Sequence, residues 1–423
     1  MHRLKFFFPV LFLLITVATG CSDKTVQVFN ANQPVYQDLA TWRATTFALA
    51  APTALQHPGK IYIYNNLLIV NELLKGVHIY DNANPSAPVD LGFLPVHANM
   101  DIAVRNNVMY LDSYSDLLSF DISDPRNPRF LTRINDVFTF DRFYQLPGFD
   151  ENLPLVAHDP TKGVIMSWIQ GETTVDLYVY GGPREDMLSS FSGGGNPTGS
   201  VLQGGTGTGG STARFTIYDH YLYTLESWQL GVFDIADGMV HTSDVGLFQN
   251  SETLFPQDGY LYMGTTTGMS IYSLSNPTNP TFVSTYTHIT SCDPVAVQGD
   301  KAFVTLSTAR NCQGTVNSLM VIDLSNIAEP TLMYEFPMTN PKGLGLDGNT
   351  LFLCDGADGL KIFDKTDLSA IPNNLISQFG NIFSADVIPY NQVLIMTSAE
   401  GIYQYSYADL NNIVQLSQIP VVH

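Results

Sequence analysis

From about residue 55 onward, apolar and polar positions alternate in short runs broken by turn residues. The stretches I-Y-I-Y-N-N-L-L-I-V, F-P-Q-D-G-Y-L-Y-M and L-G-L-D-G-N-T-L-F-L each set two runs around a tight-turn pair: Asn65–Asn66, Asp258–Gly259 and Gly348–Asn349. Asn106–Asn107 divides another such pair of runs. Alternation with a period of two marks a strand, and Asn, Asp and Gly accept the positive φ that a two-residue hairpin needs. Each pair therefore predicts a hairpin of strands a and b.

A third run follows each hairpin. Its phrase is Gly, apolar, any, apolar, aromatic, Asp, as in G-V-H-I-Y-D ending at Asp81. It returns at Asp121, Asp234, Ser273, Asp323, Asp364 and Ser406, in steps of 40, 113, 39, 50, 41 and 42 residues. A near-constant period of this size marks a repeat architecture. We read the run as strand c. Pro85 and Pro88, Pro125 and Pro128, and Pro277 and Pro280 then form one elbow, each beginning four residues past the anchor. Proline cannot donate to a ladder, so the elbow ends strand c and launches an outer strand d. Four antiparallel strands in about 40 residues make one blade of a β-propeller. Leu360 and Ile362 on one side of strand c, with Phe363 on the other, suit a sheet stacked between neighbours. A β-sandwich accounts for the strands but not for a constant period with a constant elbow. The fold expected is all-β, a β-propeller of seven four-stranded blades, with eight as the alternative.

The long step contains an insertion at about 134–212. Its first part, G-V-I-M-S-W-I-Q-G-E-T-T-V-D-L-Y-V-Y, reads as one more hairpin, either extending the second blade or forming a degenerate eighth. The missing acid and elbow favour the extension. The second part is Gly-rich and reads as a flexible loop. Gly205, Gly207 and Gly210 there match G-x-G-x-x-G in form, but no helix follows to meet a pyrophosphate.

With these phrases in place, the chain resembles the LVIVD-repeat β-propeller lipoproteins of Bacteroidetes-like bacteria. L-K-I-F-D and L-M-V-I-D, the latter followed by S-N-x-x-x-P, carry the resemblance, as does H-P-G-K-I-Y-I-Y-N-N-L-L-I-V-N-E near the start. It covers about 55–133 and 213–423. The family implies a location and an architecture, and supplies no catalytic residues.

The N-terminus points the same way. Arg3 and Lys5 precede an apolar run from Phe6 to Val17, and Ala18-Thr19-Gly20 leads into Cys21. This reads as a signal peptide over 1–20, with Cys21 as a lipidated first residue, although Ala18 stands where such boxes usually carry Leu. Residues 21–54 are expected to be a tether and lead-in, and 55–423 the propeller. Ser22 is not the Asp that marks inner-membrane retention, which favours the outer membrane. The partner implied is a membrane reached through a lipid anchor.

Formal net charge is -20, and -22 once Arg3 and Lys5 are removed, so phosphate backbones are repelled and nucleic acid is excluded as a partner. Cys292 and Cys312 flank one hairpin and form a disulfide candidate, whereas Cys354 in L-F-L-C reads as a buried hydrophobe. None of the nine His has a partner three to five residues away, and no nucleophile elbow occurs. His78 reads as packed; His97, in a loop entering strand a, is kept as a site candidate.

The loops joining strands b and c form a more coherent set. They carry Glu72, Asp112, Asp116, Glu226, Asp355, Asp358 and Glu400, and a propeller brings such loops to one face. Asp112, Asp116, Asp355 and Asp358 are the ligands expected if that rim holds Ca²⁺. Tyr114 and Trp228 in the same loops could stack on a sugar or peptide. The function expected is a non-catalytic binding or scaffolding module of the cell envelope, its partner an envelope protein or glycan. A metal-assisted glycan hydrolase or lyase and a purely structural component are the alternatives.

Overall fold

The computed structural model describes residues 28–140, 142–174, 177–178, 208–209, 213–226, 228–265, 267–288, 294–307 and 316–422. Cys21, Cys292 and Cys312 lie outside the described residues, so the anchor and the disulfide pairing do too. Seven antiparallel sheets with strands in the order a-b-c-d form the blades of a β-propeller, and in the first of them Thr208–Gly209 of the insertion adds a short fifth strand beside strand a. They span 58–95, 102–134, 215–246, 251–287, 295–337, 344–379 and 384–420. Strand a lies on the inner side of each blade and touches strand a of the next from blade 1 to blade 7, and at the closure strand a of blade 1 meets strand b of blade 7.

Core packing follows from strands that are apolar on both faces. Buried clusters sit between neighbouring blades rather than within one; Leu68, Val70 and Tyr80 of blade 1, for example, meet Ile388, Ile395 and Ile402 of blade 7. Leu360, Ile362 and Phe363 are all buried, as the two-faced pattern of strand c requires. Each such side chain contributes about 1.5–3 kcal/mol of transfer free energy.

The repeated phrase has a local physical basis at both ends. Its final Asp folds back on the chain: Asp81 accepts from the Ala83 amide at 3.0 Å, Asp121 from Ser123 at 2.8 Å and Asp364 from Thr366 at 2.8 Å. This Asx turn ends strand c and starts the elbow. Its first Gly is a matter of space. Gly76 and Gly401 have φ of +141° and +138°, and a Cβ there would strike the backbone carbonyl of Leu94 or Ile419 in strand d. In every blade strand d then bulges opposite the fourth and fifth positions of the phrase, as between Ile79 and Tyr80 or Ile271 and Tyr272. The bulge twists the outer edge away from further pairing. Just past it, Ser243, Ser284 and Ser417 donate to elbow carbonyls of the next blade, Thr278, Ile327 and Pro85, at 2.5, 2.6 and 2.6 Å.

The ring closes without a shared blade. Leu55 bridges to Val421, and the amides of Asn82 and Gln404 exchange hydrogen bonds of 2.9 and 2.8 Å.

The insertion differs from the sequence expectation. Val164–Thr173 is one ten-residue strand, not half of a hairpin, and it neither extends blade 2 nor makes an eighth blade. Its partner is Phe29–Gln37 of the lead-in, paired antiparallel from Phe29↔Thr173 to Gln37↔Val164. Leu155–Val156 and Leu177–Tyr178 complete a separate four-stranded sheet. No tight-turn pair of Asn, Asp or Gly interrupts the run, so its alternation needed a partner from elsewhere in the chain. The lead-in continues as helix α1 (Leu39–Arg43), whose Thr41 amide donates to Asp38 at 2.9 Å as an N-cap.

Candidate functional site

The b–c corners and the d-to-a connections share one face of the ring, and the added sheet sits on part of it. Leu74, Ala98 and Tyr114 of the first two blades pack against Leu146, Leu155, Ile165 and Trp168. Tyr114 is the centre of this contact. Its ring lies 4.4 Å from Phe140, 6.1 Å from His97 and 6.0 Å edge-on to Trp42 of α1. His97 is a strut of the same junction: its Nε2 meets the Ile165 carbonyl at 3.0 Å, and burial lowers its pKa. Tyr114 and His97 are thus covered by the chain itself.

The corner carboxylates are engaged one by one. Glu72 accepts from the amides of Gln56 and His57 at 2.9 and 2.8 Å and lies 3.3 Å from His78. Burial would raise its pKa, yet the His78 contact, the two amides and Lys75 hold it down at about 2. Asp112 accepts from the Met100 and Asp101 amides at 2.8 and 2.9 Å and from the Asn99 side chain at 2.8 Å. There burial prevails and pushes the pKa up to about 6. Asp116, fully buried, is gripped by Arg43 through Nε and Nη2 at 2.9 and 2.7 Å and by Arg133 at 2.9 Å. Asp355 accepts from Thr339 and Asn340 amides and, with Asp358, from Lys361 Nζ at 2.5 and 2.9 Å. Glu226 accepts from the Thr139 amide. Glu400 is exposed.

A common logic emerges. Glu72, Asp112, Glu226 and Asp355 each accept amides from the segment leading into their own blade's strand a, or from the insertion that precedes it. A buried backbone N–H without an acceptor costs about 1–3 kcal/mol, so a corner acid stabilises the incoming connection. The acids are spread around the ring. Among the described residues no group of three or more His, Cys, Asp or Glu is placed to hold a metal ion.

Two features had no sequence motif. The residue just before the one that pairs with the fourth position of strand b is Lys60, Asp101, Arg214 and Asp386 in blades 1, 2, 3 and 7, so charges alternate around part of the inner ring. Asp101 accepts from the Ile102 and Arg214 amides at 2.8 and 2.7 Å, and Asp386 from Val387 at 2.5 Å. Burial raises both carboxyl pKa values and lowers that of Lys60. Alignment of strand a across blades reveals the series once the register is known. The second feature is aromatic. Trp228, at the b–c corner of blade 3, is 59% exposed, and Phe248 is 74% exposed. The Leu247 amide donates to the Trp228 carbonyl at 2.8 Å, which brings the two side chains' backbones together, and Phe248 continues edge-on to Phe282 of blade 4 at 5.3 Å. Unlike Tyr114, this group meets no ring or strand of the added sheet among the described residues.

Comparison with known proteins agrees with this architecture. The LVIVD repeat family matches residues 257–288 and 292–337. No curated protein is similar to the chain in sequence. Among solved structures, the WD40 domain of Neurospora crassa Pan2 is 9% identical, with a TM-score of 0.52, covering 86% of this chain and 91% of that one. The computationally designed Ika8 protein is 8% identical, with a TM-score of 0.50, covering 89% and 92%. At such identities the likeness is one of fold. The chain carries LVIVD repeats in a seven-bladed β-propeller.

Proposed function

We propose that this LVIVD-repeat propeller is an exported, non-catalytic binding module, held at the outer membrane of the cell envelope through a lipid on Cys21. The observation that carries the binding reading is a contrast on one face. Glu72, Asp112, Asp116 and Asp355 are consumed as acceptors of backbone, arginine or lysine donors, while Trp228 and Phe248 stand open. Such a surface offers apolar contact area rather than acid–base or metal chemistry, and exposed aromatic clusters of this kind mark interaction sites. The N-terminal apolar run ending in Ala18-Thr19-Gly20-Cys21 supports export and anchoring.

Labelled fatty acid fed to expressing cells tests the anchor. Incorporation that disappears in Cys21→Ser supports it, and an unlabelled chain in the soluble fraction rejects it. A photo-crosslinking side chain placed in turn at Trp228, Phe248 and Glu400 tests the face. Discrete envelope adducts from these positions, absent from an elbow control at Arg126, are expected. Adducts from the elbow alone would overturn the reading.

A further inference from the structure

We propose that the seam between blades 7 and 1 holds a binding site for a primary ammonium group carried on an aliphatic body. The site lies on the outer edge of the ring and does not depend on the loop-face reading. Three stretches of chain build it. The lead-in is pinned to strand d of blade 1, where Ala50 and Phe93 exchange amide hydrogen bonds of 2.7 and 3.2 Å. It then crosses to the end of blade 7, where the Val422 amide donates to the Leu55 carbonyl at 2.8 Å. Beside that crossing a cleft of about 560 Å³ opens between the blade 1 elbow and strand d of blade 7. Its size falls within the roughly 300–1,000 Å³ of small-molecule sites, and Leu55, Pro88, Ile419 and Val422 give it apolar sides.

Tyr80 and Asp90 line the same cleft. They are cross-strand partners: the fifth residue of the phrase and the residue opposite it on strand d. In blades 2 to 7 that opposite residue is Phe130, His241, Phe282, Leu332, Leu375 and Gln415, so blade 1 alone puts a carboxylate there. Asp90 is half-buried and has no ion pair among the described residues; its Oδ1 accepts from the Gly92 amide at 2.9 Å. Burial raises its pKa, with the Gly92 amide and His78 opposing. A charge sunk with so little to hold it costs stability, and an incoming cation removes that cost. Tyr80 is 4% exposed, yet its hydroxyl makes no hydrogen bond among the described residues. Phe120, Phe233 and Phe363 fill the same position in blades 2, 3 and 6, so packing there asks for the ring and not the hydroxyl. Both oxygens accept, and an ammonium brings three donors. The chain's formal net charge of -20 adds attraction for a cation and repulsion for an anion.

Thermal melts and ligand-observed NMR on the full chain in detergent, each against a detergent blank, test the site with n-pentylammonium, 1-pentanol and pentanoate. Saturation transfer to pentylammonium and a raised midpoint are expected, with pentanol weaker and pentanoate silent. Asp90→Asn should weaken pentylammonium binding about tenfold and Tyr80→Phe about threefold, because each removes one acceptor. Both variants keep their shape, and without ligand the Asp90→Asn midpoint should hold or rise. Nα-acetyl-lysine methylamide separates the two sources of such a group. Binding as tight as that of pentylammonium assigns the cleft to a lysine side chain, and weaker binding assigns it to a free amine. Three outcomes overturn the proposal: no transfer to pentylammonium at millimolar concentration, equal affinity in Asp90→Asn, or equal binding of pentanol. Missing adducts at Trp228 and Phe248 would sink the loop-face reading and leave this site standing, so the two fail separately.

Discussion

Arg43 and Asp116, seventy-three positions apart, are joined by two parallel hydrogen bonds of 2.9 and 2.7 Å. The fork ties the lead-in helix to a blade corner whose Asp116 carboxylate is fully buried. A buried ion pair of this kind is weak evidence for net stability, but breaking it on one side is costly. Arg43→Ala leaves Asp116 with Arg133 as its cation; we expect a loss on the order of 2–4 kcal/mol, less than for a fully buried pair because Arg43 is partly solvated. Limited proteolysis should then cut the lead-in and the added sheet before the ring. Unchanged cleavage would show that the aromatic contacts alone hold the module.

Glu72 and Asp112 should leave opposite marks on the pH profile. Glu72 has its pKa lowered to about 2 in the fold, so its contribution is present above its unfolded value and fades as pH falls toward 2. For Asp112 the pKa is raised to about 6, so its contribution is full below its unfolded value and is lost as pH climbs through 6. A shift of that size corresponds to roughly 3 kcal/mol. Melting temperatures taken between pH 3 and 7 should therefore lose their downward slope toward pH 6 in Asp112→Asn, and their acid-side slope in Glu72→Gln. Parallel profiles in all three proteins would refute the assignment.

Gly76→Ala asks whether the opening glycine of the phrase is structural. Its φ of +141° and the nearby Leu94 carbonyl leave a methyl group no room. A residue held in such a conformation costs about 1–3 kcal/mol before any clash is relieved. The melt should shift downward, and substitution at Gly246, where nothing lies within 4 Å of an added Cβ, should shift it far less.

Calcium should leave the melt alone. Glu72, Asp112, Asp116, Glu226, Asp355 and Asp358 already accept backbone amides, guanidinium or ammonium groups, and among the described residues no three or more acids are placed to hold an ion. Titration with Ca²⁺ and then EDTA is expected to move the midpoint by no more than scatter. A saturable rise lost in Asp355→Asn would place a cation on this rim after all.

Much of the ring could be read before any coordinates, because its grammar is local. The Asp of each phrase bonds an amide two residues ahead, the tight-turn pairs close hairpins on themselves, and the prolines end a strand where they stand. Period and residue type therefore determined the repeat, the order of strands within a blade and the apolar two-faced strand c. Tertiary structure decided what those rules leave free. Phe29 pairs with Thr173 across two intervening blades, a choice between distant edges that no local pattern specifies. The corner acids look alike in sequence to exposed acids, and only the path of the incoming backbone turns Glu72 and Asp355 into acceptors. Trp228 and Tyr114 lie in the same turn of neighbouring blades; Tyr114 is half-buried and Trp228 open because the lead-in helix packs on the blade 2 corner.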